Sequence, residues 1–284
     1  MRMPARTQRG FTLVEAVTVI VITGILAAMV AVFISRPVQG YMDSARRAWL
    51  TDAADTALRR IARDVQSALP NSLRPNGSGQ NVELLLAATG GRYSQDLADA
   101  AGCFAAGCTS LTSLGSVIGA NGEQANRRLV IYSLYNNDAG GCGPTNPSAW
   151  CGNNTAPITG STEGGNTDSF AFAGTAFRPA TGSPSRRFFI VSGPVAYTCA
   201  GAGVAGGNGT GTLSRYENYP IVQNAAFPPA GGTAREIAHR VSACQFSYQT
   251  GVSERQGLLT LYLELMEAGE RVGLYHEVHV DNAP

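Results

Sequence analysis

The chain has 284 residues, 44% of them apolar, and a formal net charge of +1. This length accommodates one large domain or two of medium size, and the near-zero charge gives no strong attraction to nucleic acid or anionic lipid. All 21 basic residues are arginine. The lack of lysine excludes a phosphate-loop lysine, a Schiff-base lysine and a serine–lysine dyad.

The first predicted element is an apolar helix that follows a short basic leader. From Phe11 to Ile34, Glu15 is the only charged residue. At ~1.5 Å per residue this run spans roughly 36 Å, enough to cross a hydrocarbon core of about 30 Å. Arginines precede it at positions 2, 6 and 9. The positive-inside tendency therefore predicts a cytoplasmic N-terminus and an exported remainder.

A cleaved secretory signal peptide is the alternative interpretation of this run. Such peptides have an apolar core of about 7 to 15 residues that ends at a small-residue cleavage site. The present run is longer, and its end carries no such site. We therefore favour a membrane-spanning segment over 11–36.

The apolar run continues into a second helical pattern over 37–70. Its apolar residues recur at intervals of three or four. They are Val38, Met42, Ala45, Trp49, Ala53, Ala57, Ile61, Val65 and Leu69. The pattern predicts an amphipathic helix whose stripe packs on a domain, with the charged residues on a solvated face and Asp55 and Arg59 spaced as an ion pair. Pro37, between Gly24 and Gly40, predicts a bend near 33–40.

A specific signature marks the junction of leader and helix, where Gly10 is followed by "FTLVE". It resembles the class III signal of type IV pilins and type II secretion pseudopilins. The resemblance implies that a membrane prepilin peptidase cuts between Gly10 and Phe11 and that the new amino group of Phe11 is methylated.

Glu15 is costly on an isolated membrane helix, because a buried carboxylate needs a partner. The resemblance implies that it meets the Phe11 amine of a neighbouring subunit and so guides assembly. Pairing within its own helix, about one turn away, and snorkelling to the membrane interface are the alternatives.

The remainder of the chain, 71–284, contains short aromatic and β-branched runs separated by turn residues, which predict strands. These runs lie at 127–135, 169–177, 186–199, 212–222 and 240–249. The clearest hairpin is "GLLTLYLELMEAGERVGLYHEVHV", where Leu259, Leu261, Leu263 and Leu265 share one face and the turn falls near "EAGE". Together these elements predict an α+β, pilin-like fold in which an antiparallel sheet packs on the C-terminal half of the long helix. By composition, 136–168 and 200–211 are predicted loops.

All cysteines lie beyond the apolar run, at Cys103, Cys108, Cys142, Cys151, Cys199 and Cys244. Pairing of neighbours would close two small loops and one larger one, as expected in an oxidising compartment. Zinc is the alternative, but the spacings lack the tight knuckles and nearby histidines that zinc favours. We therefore expect disulfides, and neither a metal site nor a cofactor.

An enzymatic function has little support in the sequence. The "HEVH" segment is not a helical zinc-protease motif, and on a strand His276 and His279 would point to opposite faces. His276 shares its parity with valines and a leucine, which predicts a core position. Two arginine pairs, 127–128 and 186–187, do not by themselves establish a nucleic-acid groove. We expect no catalytic residues and no nucleic-acid partner.

Both ends of the chain also resemble one particular group of minor pilins. The segments are "RPVQGYMDSARRAWLTDAADTALRRIARDVQSALPNS", "RRFFIVSGPVAYTC", "VSACQFSY" and "YHEVHVDNAP". They look like the MshO family of mannose-sensitive haemagglutinin (MSHA) pilus biogenesis proteins. The resemblance implies a leader at 1–10, an assembly helix at 11–36, an amphipathic helix at 37–70 and a periplasmic or extracellular domain at 71–284.

The implied role is that of a minor pilin that initiates or caps a pilus. Its implied partners are the prepilin peptidase, other major and minor pilins, the inner-membrane assembly platform and, before assembly, membrane lipid. A J-like pseudopilin of type II secretion and a tip adhesin or DNA-binding minor pilin are the alternatives.

Overall fold

The computed structural model describes residues 10–76, 78–93, 107–117, 127–136, 142, 146–172, 182–224, 226–250 and 256–283. Helix α1 runs from Leu13 to Gln66 and includes Pro37. The chain divides into two compact units, Met1–Trp49 and Leu50–Pro284. The predicted bend near 33–40 remains a prediction, as do the four predicted segment boundaries.

The first unit contains the apolar part of α1. By length and composition this part can cross a membrane, since an 18-residue window has a mean hydropathy of 2.8 and none of it is buried. Two threonines place their hydroxyl groups on carbonyls of the preceding turn, Thr18 on Val14 at 3.0 Å and Thr23 on Val19 at 2.7 Å. These bonds satisfy polar groups within the helix itself, as an apolar surrounding requires.

The second unit begins where α1 becomes buried. From Leu50 on, the helix buries residues at intervals of three or four against the sheet. They are Leu50, Ala54, Ala57, Leu58, Ile61, Ala62 and Val65. The predicted stripe is therefore right in its second half and wrong in its first, because Val38, Met42 and Trp49 are exposed. The predicted pair of Asp55 and Arg59 is confirmed at 2.6 Å.

The described part of the chain beyond α1 contains thirteen strands. They are β1 Arg74–Pro75, β2 Asn81–Tyr93, β3 Ser110–Leu114, β4 Arg128–Val130, β5 Thr155–Gly164, β6 Thr167–Phe172, β7 Arg187–Ala200, β8 Val204–Ala205, β9 Asn208–Gly209, β10 Gly211–Glu217, β11 Thr233–Gln249, β12 Gln256–Glu267 and β13 Glu270–Asp281. Eleven of them join one sheet in the order β1-β2-β3-β6-β5-β4-β7-β10-β11-β12-β13, and β8 pairs with β9. The predicted α+β class, with a long N-terminal helix and a large antiparallel sheet, is confirmed.

The sheet has two parts because β2 pairs both with β3 and with β7. Strands β2, β3, β6, β5, β4 and β7 thereby close into a ring of antiparallel pairs. Phe170 and Phe188 pack edge to face within this ring, with ring centroids 5.7 Å apart. The other part runs from β2 and β7 through β10, β11 and β12 to β13, and it carries the core that α1 covers.

The hairpin of β12 and β13 is confirmed, with its turn at Ala268 and Gly269. The inward face of β12 carries the predicted leucines, all of them buried. Strand β4 is shorter than predicted, and Tyr132, just beyond it, has a positive φ of 54° that an extended strand does not allow. Residues 173–177 of the predicted strand 169–177 lie outside the described residues.

The two predicted loops contain secondary structure, which corrects the prediction. Within 136–168 a 3₁₀ helix spans Ala149–Cys151, and β5 follows at Thr155–Gly164. Ala156 and Ile158 of β5 are buried in the ring. Their partners on β4 and β6 determine this strand, and local composition does not reveal them. Within 200–211, β8 and β9 form a small hairpin, and a Cβ on Gly209 would lie 2.0 Å from the carbonyl oxygen of Arg240.

Candidate functional site

The start of α1 has a defined capping geometry. Thr12 precedes the helix, and its Oγ1 accepts a hydrogen bond from the Glu15 N–H at 3.3 Å. Its carbonyl oxygen accepts the first helical bond, from the Ala16 N–H at 3.2 Å. The order T-x-x-E is that of a capping box, in which the glutamate also complements the positive end of the helix dipole. The "FTLVE" segment is therefore a helix start as well as a signature.

The bond between Gly10 and Phe11 lies outside this helix. Both residues are exposed, Phe11 to 77%, and they have no regular secondary structure. Among the described residues, a Cβ on Gly10 would have no neighbour within 4 Å. Packing against the described residues therefore does not require a glycine at this position.

Glu15 is exposed on the first turn of α1. Its backbone is engaged by Thr12, whereas its carboxylate forms no ion pair with any residue that the structure describes.

Comparison with known families matches this same segment. A family model described as "Prokaryotic N-terminal methylation motif" matches residues 5–31. No curated protein and no solved structure matches the chain.

The matched motif is of the prepilin type, which supports a type IV pilin or pseudopilin. Such proteins are processed by a prepilin peptidase, assemble with other pilins and are generally structural rather than enzymatic. The apolar helix that carries the motif is consistent with the membrane anchoring of a pilin.

Disulfide bonds cross-link the β-rich domain that follows α1. Cys142 is bonded to Cys151, and Cys199 on β7 is bonded to Cys244 on β11. Cys108 is also disulfide-bonded, while Cys103 lies outside the described residues. The two resolved bonds are neighbour pairings, as expected of a chain that folds in an oxidising compartment.

A buried ion pair joins β1 to β2. The Arg74 Nε donates to the Glu83 Oε2 at 2.7 Å, and both side chains are almost fully buried. Arg74 also donates to the carbonyl oxygens of Gln223 and Val222 at 2.6 and 2.9 Å, and Tyr219 donates to the Glu83 Oε1 at 2.8 Å. Together these bonds satisfy both charges, which burial otherwise makes costly.

The Arg74 guanidinium also lies 3.6 Å above the centroid of the Trp150 ring. The Trp150 Nε1 donates to the Ser72 carbonyl oxygen at 2.9 Å. This cluster therefore connects the segment after α1 to the 3₁₀ helix that carries Cys151. No local sequence pattern predicts this cluster, because its residues are far apart along the chain.

A second polar cluster ties α1 to the sheet. Asp64 accepts hydrogen bonds from the Tyr197 hydroxyl at 2.6 Å and the Arg215 Nε at 2.8 Å, and Arg215 also pairs with Glu217. The prediction that Asp64 lies on a solvated face is therefore wrong. The Asp64 carboxylate faces β7 and β10, where it binds the Tyr197 hydroxyl and the Arg215 guanidinium.

The two partners of Asp64 have shifted pKa values. Burial, together with the hydrogen bond to Asp64, raises the pKa of Tyr197. Burial acts to lower the pKa of Arg215, but the bonds to Asp64 and Glu217 outweigh it and raise the pKa. Tyr197 therefore stays a neutral donor and Arg215 a cation well above neutral pH.

We expect Tyr197 to contribute to alkaline unfolding. A folded-state pKa above the ordinary value of about 10 gives stability that is fully present below pH ~10 and is lost as pH rises further. Tyr197→Phe should lower the free energy of unfolding by about 1.5–3 kcal/mol at neutral pH, since the bond is to a charged group. It should also flatten the decline in stability above pH ~10.

Denaturant unfolding at several pH values between about 8 and 11 measures both effects. Tyr41→Phe is the matched control, because the Tyr41 ring is 76% exposed. An identical pH slope in the wild type and in Tyr197→Phe would contradict the assignment.

The remaining predicted residues fall into different environments. Arg128 donates to the Thr155 Oγ1 at 2.9 Å, and burial lowers the pKa of Arg128. Arg187 lies opposite Arg92 in the pairing of β7 with β2, on the wall of an open cleft of about 530 Å³.

His276 is half-buried on the core face and His279 is exposed. The predicted opposite orientation of the two histidines is confirmed.

Proposed function

We propose that this protein is a minor pilin of an MSHA-type pilus that helps initiate or cap filament assembly. The observation that carries the proposal is the prepilin motif at residues 5–31, placed at the start of an exposed apolar helix. Cleavage between Gly10 and Phe11 and methylation of Phe11 are the processing steps. The MSHA assignment is supported by the resemblance at both ends of the chain.

In this function Glu15 is the assembly residue. Cleavage leaves Phe11 and Thr12 ahead of the helix, so the new cationic amine lies about one turn from Glu15. Thr12 engages the backbone of Glu15 and leaves its carboxylate free to reach the amine of a neighbouring subunit. The pair would remove the cost of a lone carboxylate in the bilayer and would set the axial register between subunits.

The proposed topology follows the same segment. Residues 1–10 are a cytoplasmic leader, 11–36 cross the inner membrane, 37–70 form the connecting helix with Pro37 at a bend, and 71–284 are periplasmic. Membrane lipid surrounds the helix until the assembly platform transfers the subunit to other pilins. The disulfides of the domain fit an oxidising compartment.

Mass spectrometry of the mature protein tests the processing. We expect the chain from native membranes to begin at N-methylated Phe11. Gly10→Val should leave the leader attached. Since a Cβ at Gly10 meets no atom of the described residues within 4 Å, the variant tests the peptidase rather than the fold. Recovery of chains that begin at Met1 from assembled filaments would refute the proposal.

A J-like pseudopilin of type II secretion is the second candidate, because the same motif is typical of pseudopilins. Deletion of the gene distinguishes the two. Loss of surface pili with normal secretion supports the minor pilin, whereas loss of secretion with normal pili supports the pseudopilin.

A further inference from the structure

Strand β13 is a long edge strand of the sheet that the described residues form. It is the last strand in the sheet order, and among the described strands only β12 pairs with it. The pairing runs without a register shift from Glu267 opposite Glu270 to Gln256 opposite Asp281. The first strand in the order, β1, has only two residues, one of them Pro75. At the β1 end of the sheet, the short strand and its proline leave little backbone for a further strand to pair with. At the β13 end, twelve residues without proline remain.

The turn geometry shows which backbone groups of β13 are free. Ala268 and Gly269 have φ values of 48° and 88°, as in a two-residue type I′ turn. In such a hairpin the flanking residues, Glu267 and Glu270, form a hydrogen-bonded pair, and these pairs then recur at every second residue. The even-numbered residues of β13 thus bond to β12. The odd-numbered residues, from Arg271 to Asp281, direct their N–H and C=O groups away from it.

Several inward-facing side chains of β13 remain partly exposed, so an additional strand could cover them. On the inner face Val272, Leu274 and His276 are only half-buried, whereas Val278 and Val280 are buried. Apolar side chains on a further strand would cover the first three. No proline or bulge interrupts β13, although these are the usual protections of a free edge.

The charged residues on the outer face of β13 would determine the direction in which an added strand pairs with it. Arg271 lies near the turn, and Glu277 and Asp281 lie toward the other end, all exposed. Tyr275, between them, is 74% exposed and stacks on Tyr262 with ring centroids 4.5 Å apart. An antiparallel segment complementary to this face carries basic residues opposite Glu277 and Asp281 and an acidic residue opposite Arg271.

We propose that β13 is a docking edge that receives an extended antiparallel segment of another protein, with alternating apolar residues and this charge order. Main-chain hydrogen bonds would supply the affinity, and the charges would set the direction and register. A second copy of this chain would also present this charge order, because antiparallel pairing of two β13 strands about His276 places each Arg271 opposite an Asp281. A homodimer is therefore a separate outcome of the test below.

A designed peptide tests the edge on the full-length protein in detergent micelles. The probe is a fluorescent peptide as long as residues 271–281 that alternates valine with polar residues. It carries arginine opposite Asp281 and Glu277 and glutamate opposite Arg271. We expect its binding to raise fluorescence anisotropy, and the peptide with all charges reversed to bind at least about tenfold more weakly.

Residue-resolved hydrogen exchange provides the structural readout. On binding, protection should rise at the amides of Gly273, Tyr275, Glu277 and His279, while the intervening amides are already protected by β12. Protection confined to another surface, or no binding of the probe, would overturn the proposal.

A proline substitution isolates the backbone contribution. Tyr275→Pro removes an outward N–H that β12 does not use, whereas Tyr275→Ala removes the same side chain and keeps the N–H. We expect the proline variant to bind the peptide about tenfold more weakly than the alanine variant, with both retaining the circular dichroism of the wild type. Equal affinities would overturn the proposal. So would a homodimer in light scattering whose odd-numbered β13 amides are protected without peptide. Neither result bears on the N-terminal processing.

Discussion

Glu83→Ala should lower the free energy of unfolding by about 3–5 kcal/mol, because it leaves a buried guanidinium without its counter-charge. Arg74 is 5% exposed and Glu83 is not exposed. The substitution also removes the acceptor of the Tyr219 hydroxyl. Because domains are stable by only about 5–15 kcal/mol, a loss of this size removes a large part of the total.

The control is another ion pair of the same length. The Arg59 Nε lies 2.6 Å from the Asp55 Oδ2, the same distance as from the Arg74 Nη2 to the Glu83 Oε2, but the Asp55 and Arg59 side chains are 43% and 70% exposed. Asp55→Ala should cost about 0.5 kcal/mol or less, since water screens exposed pairs. Denaturant unfolding of both variants with intact disulfides, followed by fluorescence of the tryptophans, measures the difference. Equal losses in the two variants would show that the Arg74–Glu83 pair does not anchor the domain.

Glu15→Gln should reduce incorporation into filaments by about tenfold or more, although it preserves the helix start. Glutamine at this position can still complete a capping box with Thr12. It lacks the charge that the proposed amine of Phe11 requires. Glu15→Ala, which removes both properties, should be no worse than Glu15→Gln if the charge alone matters.

The control for capping is Thr12→Ala. It removes the hydroxyl that accepts the Glu15 N–H, which costs about 1 kcal/mol of helix stability, and it retains the carboxylate. We expect near-normal filament incorporation of this variant, measured by immunoblotting sheared filaments against membranes. Normal assembly of Glu15→Gln combined with failure of Thr12→Ala would assign "FTLVE" a capping role rather than an ion-pairing role.

Local patterns accounted for the elements that depend on near neighbours. The apolar run from Phe11, the ion pair of Asp55 with Arg59 and the hairpin of β12 with β13 each depend on residues close in sequence. The same applies to the bond between Cys142 and Cys151, which are separated by 9 positions. Periodicity and spacing carry such information directly.

Strands that pair over a long distance in sequence are not predictable from local patterns. Strand β2, an almost continuous apolar and small-residue run, was not among the predicted strands, and β5 fell within a predicted loop. Each depends on partners that only the closed ring supplies. The stripe on α1 was misjudged in its first half because periodicity shows which face of a helix is apolar but not where a covering sheet begins.

By itself, the sequence determined that this protein has an apolar N-terminal helix with a prepilin-type start, a cysteine-bearing β-rich domain and a regular C-terminal hairpin. Only the tertiary structure decided that Asp64 binds Tyr197 and Arg215 on the sheet, that Arg74 and Glu83 neutralise each other and that β13 is the last of the described strands in the sheet. The physical reason is distance along the chain: Asp64 meets Tyr197 and Arg215 across 133 and 151 positions. A charge on a helix surface has the same local pattern whether water or a sheet lies opposite it.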